Sequence, residues 1–528
     1  MADTAPRGQR NFLGDFETML KAMSLDYIDC ARYETSGYAE FIGKLYTMNP
    51  SMFQSPIYCD HTLTQMALHY LAWFQDPAVR LEVGPGAAWH VDLDAWKLQR
   101  YGGALYVLAA PAESGVRRGE RIVAVNGSSL DELYPEVERV LHTTVSPADP
   151  EREDWSCVLA FAKHATVEDL QGFRRTVNLV PGESAVTGRM REVYARRSAG
   201  EGAGGQTDQA AVEGRDADAE PTVPACAGSL SPDPAGSGDV SGANVAGTAG
   251  SDGVAASGAP CELFRHGGTA VLRLADPSGC DFSSALQGCL SELAALCGPD
   301  AAEPRPRGLV IDVRGATGGL QDDVYPLVSW VLAPGATAAP TELFGKPGIV
   351  LNCSRHNVSS KLTELTSFRA RLENADGDNA GPLAKLDALM ADLESKRGKG
   401  LVVDSTDFYP DVTFASAQVA GAQRPLPVVV LADRDTSDAA EWLVRAAKSA
   451  GYARVAGRAT RGSLDNTCPR TVRLDADFAV TFPTARYLGA SGANATLGRG
   501  IAPDVHIPWT PKHLTRDIDL EEAVSLLG

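Results

Sequence analysis

The chain has 528 residues, of which 44% are hydrophobic, so it is long enough for several domains with buried cores. Its formal net charge is −19 and its pI is near 5.0. That acidity excludes the clustered Lys and Arg of a nucleic-acid partner and disfavours docking on anionic membranes. The first residues hold no apolar run of signal-peptide length, and no stretch of about twenty apolar residues follows, so the expected location is the cytoplasm. The ten cysteines are scattered without a CxxC pair. Cys280, Cys289 and Cys297 lie closer together, but no His or Cys accompanies them at zinc spacing, so reduced, partly buried thiols are expected.

In chain order, residues 1–84 are expected to be a helical domain. His61 to Phe74 places apolar side chains on one face at helical spacing. His61 and His69, two turns apart there, read as packed side chains rather than metal ligands. Residues 88–182 alternate short β-like runs with turns. Trp96 to Pro111 reads as two strands broken at Gly102-Gly103. Arg121-Ile-Val-Ala-Val125 is a third strand, and Asn126-Gly127 follows as a tight-turn signal. Residues 183–260 are rich in Gly, Ala, Ser, Asp and Pro and nearly free of aromatics. Such a segment cannot bury enough apolar surface to offset its ordering entropy, and it is expected to be a disordered insertion.

Residues 261–528 alternate strand-like and helical runs, which predicts an α/β core with parallel strands. Strands are expected at Ala270–Leu274, Gly308–Val313, Leu426–Ala432 and Ala453–Ala456. Helices are expected at Phe282–Cys297, Asp322–Leu332 and Ala439–Ala450. Near-continuous apolar runs such as Gly308-Leu-Val-Ile-Asp-Val313 suit strands buried on both faces. Ligands of such folds sit at the carboxyl ends of the strands. That rule puts Arg314–Gly319 and Asp433–Asp438 at one mouth.

Four segments carry a family resemblance. Gly308 to Gly319 resembles an apolar strand followed by Asp-x-Arg and a Gly-rich loop. Val428 to Trp442 resembles a strand and nucleophile elbow. Gly451 to Gly462 resembles a Gly-Arg-Ala segment, and Gly500-Ile-Ala-Pro-Asp-Val505 a closing Gly-Ile-x-Pro-Asp signature. In this order they resemble peptidase family S41, the tail-specific or C-terminal processing peptidases. Asp519-Leu-Glu-Glu-Ala-Val524 is similar to the family's terminal helix. The resemblance implies a ClpP/crotonase-like α/β core preceded by the helical segment and by a PDZ-like β domain. Ala112 to Gly127 is similar to the core of such a domain, with Tyr101, Gly102 and Gly103 where a peptide-cradling loop would lie. Partners would be polypeptide segments or protein C-termini, with no nucleic acid, no membrane, no cofactor and no metal.

The active-site positions depart from the family pattern. The nucleophile lies three residues before a Glu, which is Glu441 here, and that position holds Asp438. Ser437 carries a hydroxyl one position early. Bacterial members use a lysine about twenty-five residues after the serine, a place held by Ser463. Other branches use a His that would align with Ala78 in Gln75-Asp-Pro-Ala-Val-Arg80. Gly318 and Gly319 remain as oxyanion-type donors. Two functions are therefore expected in turn: a degenerate, peptide-binding pseudopeptidase, or an active serine peptidase using Ser437 with another base such as His356. A degenerate scaffold partnered through the insertion is a further reading. A cation or glycosidase role for Asp433, Asp435, Asp438 and Asp465 is the least favoured.

Overall fold

The computed structural model describes residues 12–30, 56–84, 96–141, 151–179, 259–345, 348–374, 379–404, 419–422, 426–488 and 495–528, apart from residues 152, 276, 278, 280, 300, 302–303 and 320. Nearly all of the 183–260 insertion lies outside the described residues. The chain divides into two compact units, each drawing on separate stretches of sequence. The first comprises Met1–Pro221, Lys346–Thr413 and Gly462–Gly500. The second comprises Thr222–Gly345, Phe414–Arg461 and Ile501–Gly528.

In the first unit, helices Phe12–Leu25 and Pro56–Leu71 share a core with an antiparallel sheet. Met19, Met23, Tyr27, Leu63, Tyr70 and Phe74 are buried there with Phe478, Val480 and Phe482. The sheet runs Arg80–Val83, Phe478–Tyr487, Ile349–Cys353, Gly400–Asp404, and Asn466–Arg473 also pairs with Phe478–Tyr487. Residues 1–84 thus end in a strand, Arg80–Val83, which pairs antiparallel with residues 478–481. Burial of Phe478–Tyr487 alternates with the two-residue period of a strand.

The same unit holds a second antiparallel sheet in the order Lys97–Tyr101, Ala104–Ala109, Arg121–Val125, His164–Glu168, Arg174–Asn178. Leu98, Leu105, Val107, Ile122, Val125, Ala165 and Val167 form its buried face, closed by Leu130, Leu141 and Trp155. The first two strands are joined at Gly102, whose φ of +59° is the left-handed conformation a tight hairpin needs.

The second unit is built on a six-stranded sheet in the order Val505–His506, Arg454–Gly457, Val428–Ala432, Leu309–Asp312, Thr269–Leu274, Cys261–His266. All neighbours are parallel except the last pair. Leu309–Asp312 and Val428–Ala432 are buried at every residue, which is why they read as unbroken apolar runs. Each buried Leu, Val or Ile side chain here contributes roughly 1.5–3 kcal/mol. Helix Ile518–Ser525 covers one face through Leu520 and Ala523. Helix Asp438–Ala450 follows the central strand and buries eight of its residues, with Trp442 edge-on to Phe344 at 5.8 Å. The single helix expected over Asp322–Leu332 is instead Gln321–Val324, a 3-10 turn at Tyr325–Leu327 and Val328–Val331. Pro326 interrupts it, because proline lacks the N–H that a continuous helix needs. Gly457 closes its strand at φ +108°; a Cβ there would lie 2.1 Å from the Ala432 carbonyl oxygen, so only glycine lets these strands approach.

Candidate active site

At the carboxyl ends of Leu309–Asp312 and Val428–Ala432 two loops meet. The Gly315 N–H donates to Asp433 Oδ1 at 2.9 Å, and the Ser437 N–H donates to the Ala316 carbonyl at 3.0 Å. The Thr436 hydroxyl donates to the Val313 carbonyl at 2.9 Å. Asp433 Oδ1 also accepts from the N–H groups of Asp435 and Thr436, both at 3.1 Å, so one carboxylate organises the whole elbow. Burial, with the charge of Asp435 added to it, pushes the Asp433 carboxyl above its ordinary range.

The elbow turns at Asp438. Its φ is +53°, the left-handed region that costs an L-residue about 1 kcal/mol and that aspartate enters more readily than most. Such turns aim the elbow side chain out of the sheet at a helix N-terminus. The Asp438 carboxylate accepts twice through one oxygen. Gly318 N–H and Ser437 Oγ–H both donate to Oδ2, each at 2.8 Å. Ser437 itself is extended, with φ −144°, and is only 2% exposed. Its hydroxyl meets a carboxylate, not an imidazole or amine nitrogen. Gly318 and Gly319 have φ of +76° and +75°, and the Ala439 N–H donates to the Gly318 carbonyl at 3.3 Å. At Gly319 a Cβ would lie 2.8 Å from Pro277 Cβ, so this loop is packed from behind.

Glu441, the residue from which the nucleophile position is counted, is fully buried and accepts from the Thr460 hydroxyl. Thr460 Oγ accepts in turn from the Ile501 N–H at 2.7 Å. Glu441 therefore joins the elbow helix to the Gly457–Thr460 segment and to the start of the closing Gly-Ile-x-Pro-Asp signature.

Beneath the loops lies a charge cluster that sequence reasoning did not single out. Arg314 grips Asp312 (Nε to Oδ1, 2.9 Å) and Asp517 (Nη1 to Oδ1, 2.7 Å; Nη2 to Oδ2, 2.8 Å). Arg458 forks onto Asp519 at 2.9 and 2.6 Å. His513 Nε2 lies 3.1 Å from Asp519 Oδ1, with its ring stacked on Trp509. Burial alone would raise the Asp519 carboxyl. The hydrogen bonds from His513 and Arg458, and the charges of Arg458 and Arg314, outweigh it and hold the group well below the usual range. The available signal was that Asp312, Arg314, Arg458 and Asp519 each fall in a segment that carried the family resemblance.

The other expected positions belong to the first unit. Ser463 is half-buried beside Gly462. His356 sits in the first turn of helix Arg355–Glu373, with 61% of its side chain exposed and Nδ1 3.4 Å from Asp26 Oδ2. Ala78 donates its N–H to Asp76 Oδ1 at 2.9 Å, and Asp76 is buried. Tyr101, Gly102 and Gly103 form an exposed hairpin turn, with Tyr101 edge-on to Tyr106. Asp465 is tied within its own unit: its oxygens accept from the Thr496 N–H and hydroxyl and from the Leu497 N–H at 2.7–2.8 Å. His61 and His69 lie on helix Pro56–Leu71, and the His61 side chain is outside the described residues. Among the described residues, no group of three or more His, Cys, Asp or Glu side chains is arranged to hold a metal ion. No described helix is long and apolar enough to cross a membrane.

Residues 291–507 match the family model described as peptidase family S41. The fold resembles solved structures of mature CPAF, at 12% identity with a TM-score of 0.53, covering 98% of this chain and 96% of that one. Mature CPAF complexed with lactacystin is similar at 13% identity and a TM-score of 0.52, covering 98% and 97%. The photosystem II D1 C-terminal processing protease aligns at 15% identity with a TM-score of 0.39, covering 98% and 97%. The chain matches no curated protein sequence. An α/β sheet that ends in a Gly-rich loop and a left-handed elbow, over the region the family model spans, makes residues 291–507 a peptidase family S41 core.

Proposed function

We propose that this protein is a catalytically degenerate pseudopeptidase that binds polypeptide segments without cutting them. One observation carries the reading: the Asp438 carboxylate occupies the elbow and takes the Gly318 N–H at 2.8 Å. Acyl transfer needs a neutral hydroxyl made nucleophilic by a base, and amide donors left open for the oxyanion. Here a carboxylate stands where the hydroxyl belongs and already fills a donor. An oxyanion forming about 4 Å from that charge would be opposed by roughly 4 kcal/mol at an effective dielectric of about 20. That is about a thousandfold in rate. A carboxylate attacking an amide would also form a tetrahedral adduct that expels the carboxylate again faster than it expels the amine, so no anhydride accumulates.

The alternative is an active serine peptidase using Ser437 in a rebuilt site. Its support is the hydrogen bond from the Ser437 hydroxyl to a carboxylate acceptor. Against it stand the 2% exposure of Ser437 and the competing donation of Gly318 to that same acceptor.

We read residues 88–182 as a PDZ-like domain that takes a chain end at the Tyr101–Gly103 turn. The five-strand antiparallel order and the exposed turn support strand addition at a sheet edge. The protein is proposed to act in the cytoplasm on polypeptide partners, with neither nucleic acid nor membrane involved.

Labelling with a fluorophosphonate serine probe tests the reading. The folded wild type is expected to stay unlabelled, and a peptide mixture incubated with it should be retained but remain full-length by mass spectrometry. Labelling that disappears in Ser437→Ala would overturn it in favour of the active peptidase.

A further inference from the structure

The second unit carries a pair of thiols that the peptidase core does not use. Cys261 opens the edge strand Cys261–His266 and is 6% exposed. Cys289 lies midway along helix Phe282–Leu296, three residues after Leu286 and four before Leu293. Leu286 and Leu293 are buried, so Cys289 shares their face, the one turned to the sheet. That helix packs against the Cys261–His266 strand, and the Cys261 and Cys289 thiols are neighbours across this contact. Both are reduced, and Cys289 is half-buried.

We propose that Cys261 and Cys289 are a reversible redox pair whose disulfide fastens the edge strand to the helix that covers it. The oxidant is a low-molecular-weight disulfide such as oxidised glutathione. Deprotonated Cys289, the more accessible thiol, attacks one glutathione sulfur. The S–S bond of glutathione breaks, a mixed disulfide forms, and one glutathione thiolate leaves. Cys261 gives up its proton to solvent and attacks the Cys289 sulfur. The protein S–S bond forms and the second glutathione thiolate leaves. Two protein thiols are oxidised and one glutathione disulfide becomes two thiols.

Burial, then the neighbouring Cys289, pushes the Cys261 thiol well above the ordinary cysteine range. Its proton is hard to lose, so closure of the disulfide should quicken as pH rises. Charged groups next to the pair are Glu262, adjacent on the strand, whose charge adds to the upward push, and Arg273, opposite Glu262 on the neighbouring strand.

The test uses the full-length folded protein, incubated with oxidised glutathione and digested without reductant. The expected product is a linked peptide pair containing Cys261 and Cys289, lost in Cys289→Ser and restored to free thiols by dithiothreitol. The oxidised wild type should also unfold at a higher temperature than the reduced protein, with no such rise in Cys289→Ser. A stable glutathione adduct on Cys289 alone, a different pairing such as Cys289 with Cys297, or two unchanged thiols would each overturn the proposal. A linked pair without a rise in unfolding temperature would overturn the fastening it is said to provide.

Discussion

Asp519 in the second unit and Asp76 in the first are equally hidden, at 2% and 1% exposure, yet their surroundings move them in opposite directions. Asp519 faces cations. Arg458 meets it with both ends of its fork, and Arg314 adds a third guanidinium contact at 3.3 Å. Among the described residues Asp76 has neutral donors, the Tyr27 hydroxyl at 2.9 Å, the Asn466 amide at 2.7 Å and the Ala78 N–H at 2.9 Å, and the charge of Asp29 acts against it. Those hydrogen bonds do not offset the cost of burying its charge, so burial raises its pKa. A buried carboxylate is thus held charged where it closes a ring of arginines, and pushed toward neutrality where its donors are neutral dipoles.

The largest expected effect comes from removing the charge partner. Arg458→Met leaves Asp519 buried with His513 and the one Arg314 contact at 3.3 Å, and should lower stability by about 3–5 kcal/mol in urea unfolding. A loss under about 1 kcal/mol would mean that Arg314 and His513 hold the charge alone, and the contrast with Asp76 would collapse.

Acid separates the two groups by sign. Asp519 has its pKa depressed on folding, so its contribution is present above the unfolded value near 4 and drains away as pH falls through the folded value. Asp76 has its pKa raised, so its stabilising state is complete below about pH 4 and is lost as pH rises through the folded value. Unfolding free energies between about pH 7 and pH 2.5 should therefore fall with acid in the wild type. Hydrogen exchange should locate the loss in helix Ile518–Ser525 rather than around Asp76. Equal protection losses at the two sites would contradict this.

A smaller effect belongs to the elbow. Asp438→Gly relieves left-handed strain of about 1 kcal/mol but forfeits two hydrogen bonds at roughly 1 kcal/mol each. The net loss should be about 1 kcal/mol. A gain in stability would mean that the carboxylate is strained in place rather than held there.

The smallest is Asp76→Asn, expected within about 1 kcal/mol of wild type at pH 7. Asn466 Oδ1 is buried without a hydrogen-bond partner, so a turn of that amide would let it accept from the new side chain. Any advantage of the variant at pH 7 should shrink as pH falls, because the raised pKa lets the wild-type carboxyl take up its proton earlier than an ordinary aspartate. A large loss at pH 7 that disappears in acid would show that the charge at Asp76 is needed.

The two units also differ in how legible they were. The parallel strands Leu309–Asp312 and Val428–Ala432 are covered on both faces and so appear as unbroken apolar runs. The antiparallel sheet of the first unit hid itself. Arg80–Val83 followed a helical segment closely and took that reading, whereas it is held as a strand by Phe478–Val480 far along the chain. Asn466–Arg473 and Phe478–Tyr487 each contain a proline, Pro469 and Pro483, set opposite one another. Proline argues against a strand from sequence alone. The long hairpin tolerates them because Phe478, Val480 and Phe482 are buried against the helices.

The sequence by itself determined the identity of the elbow position, because Asp438 is counted from Glu441 along one local turn, and it determined the apolar strands that carry the loops. Local order and side-chain type suffice for both. Only the tertiary structure decided what that aspartate does: which oxygen accepts, that Gly318 and Ser437 are its donors, and that Arg314, Arg458, His513 and Asp519 gather beneath it. Gly318 lies 120 residues from Asp438 and Arg314 lies 203 from Asp517. Hydrogen bonds act over about 3 Å, and no periodicity in the chain encodes a distance that only packing closes.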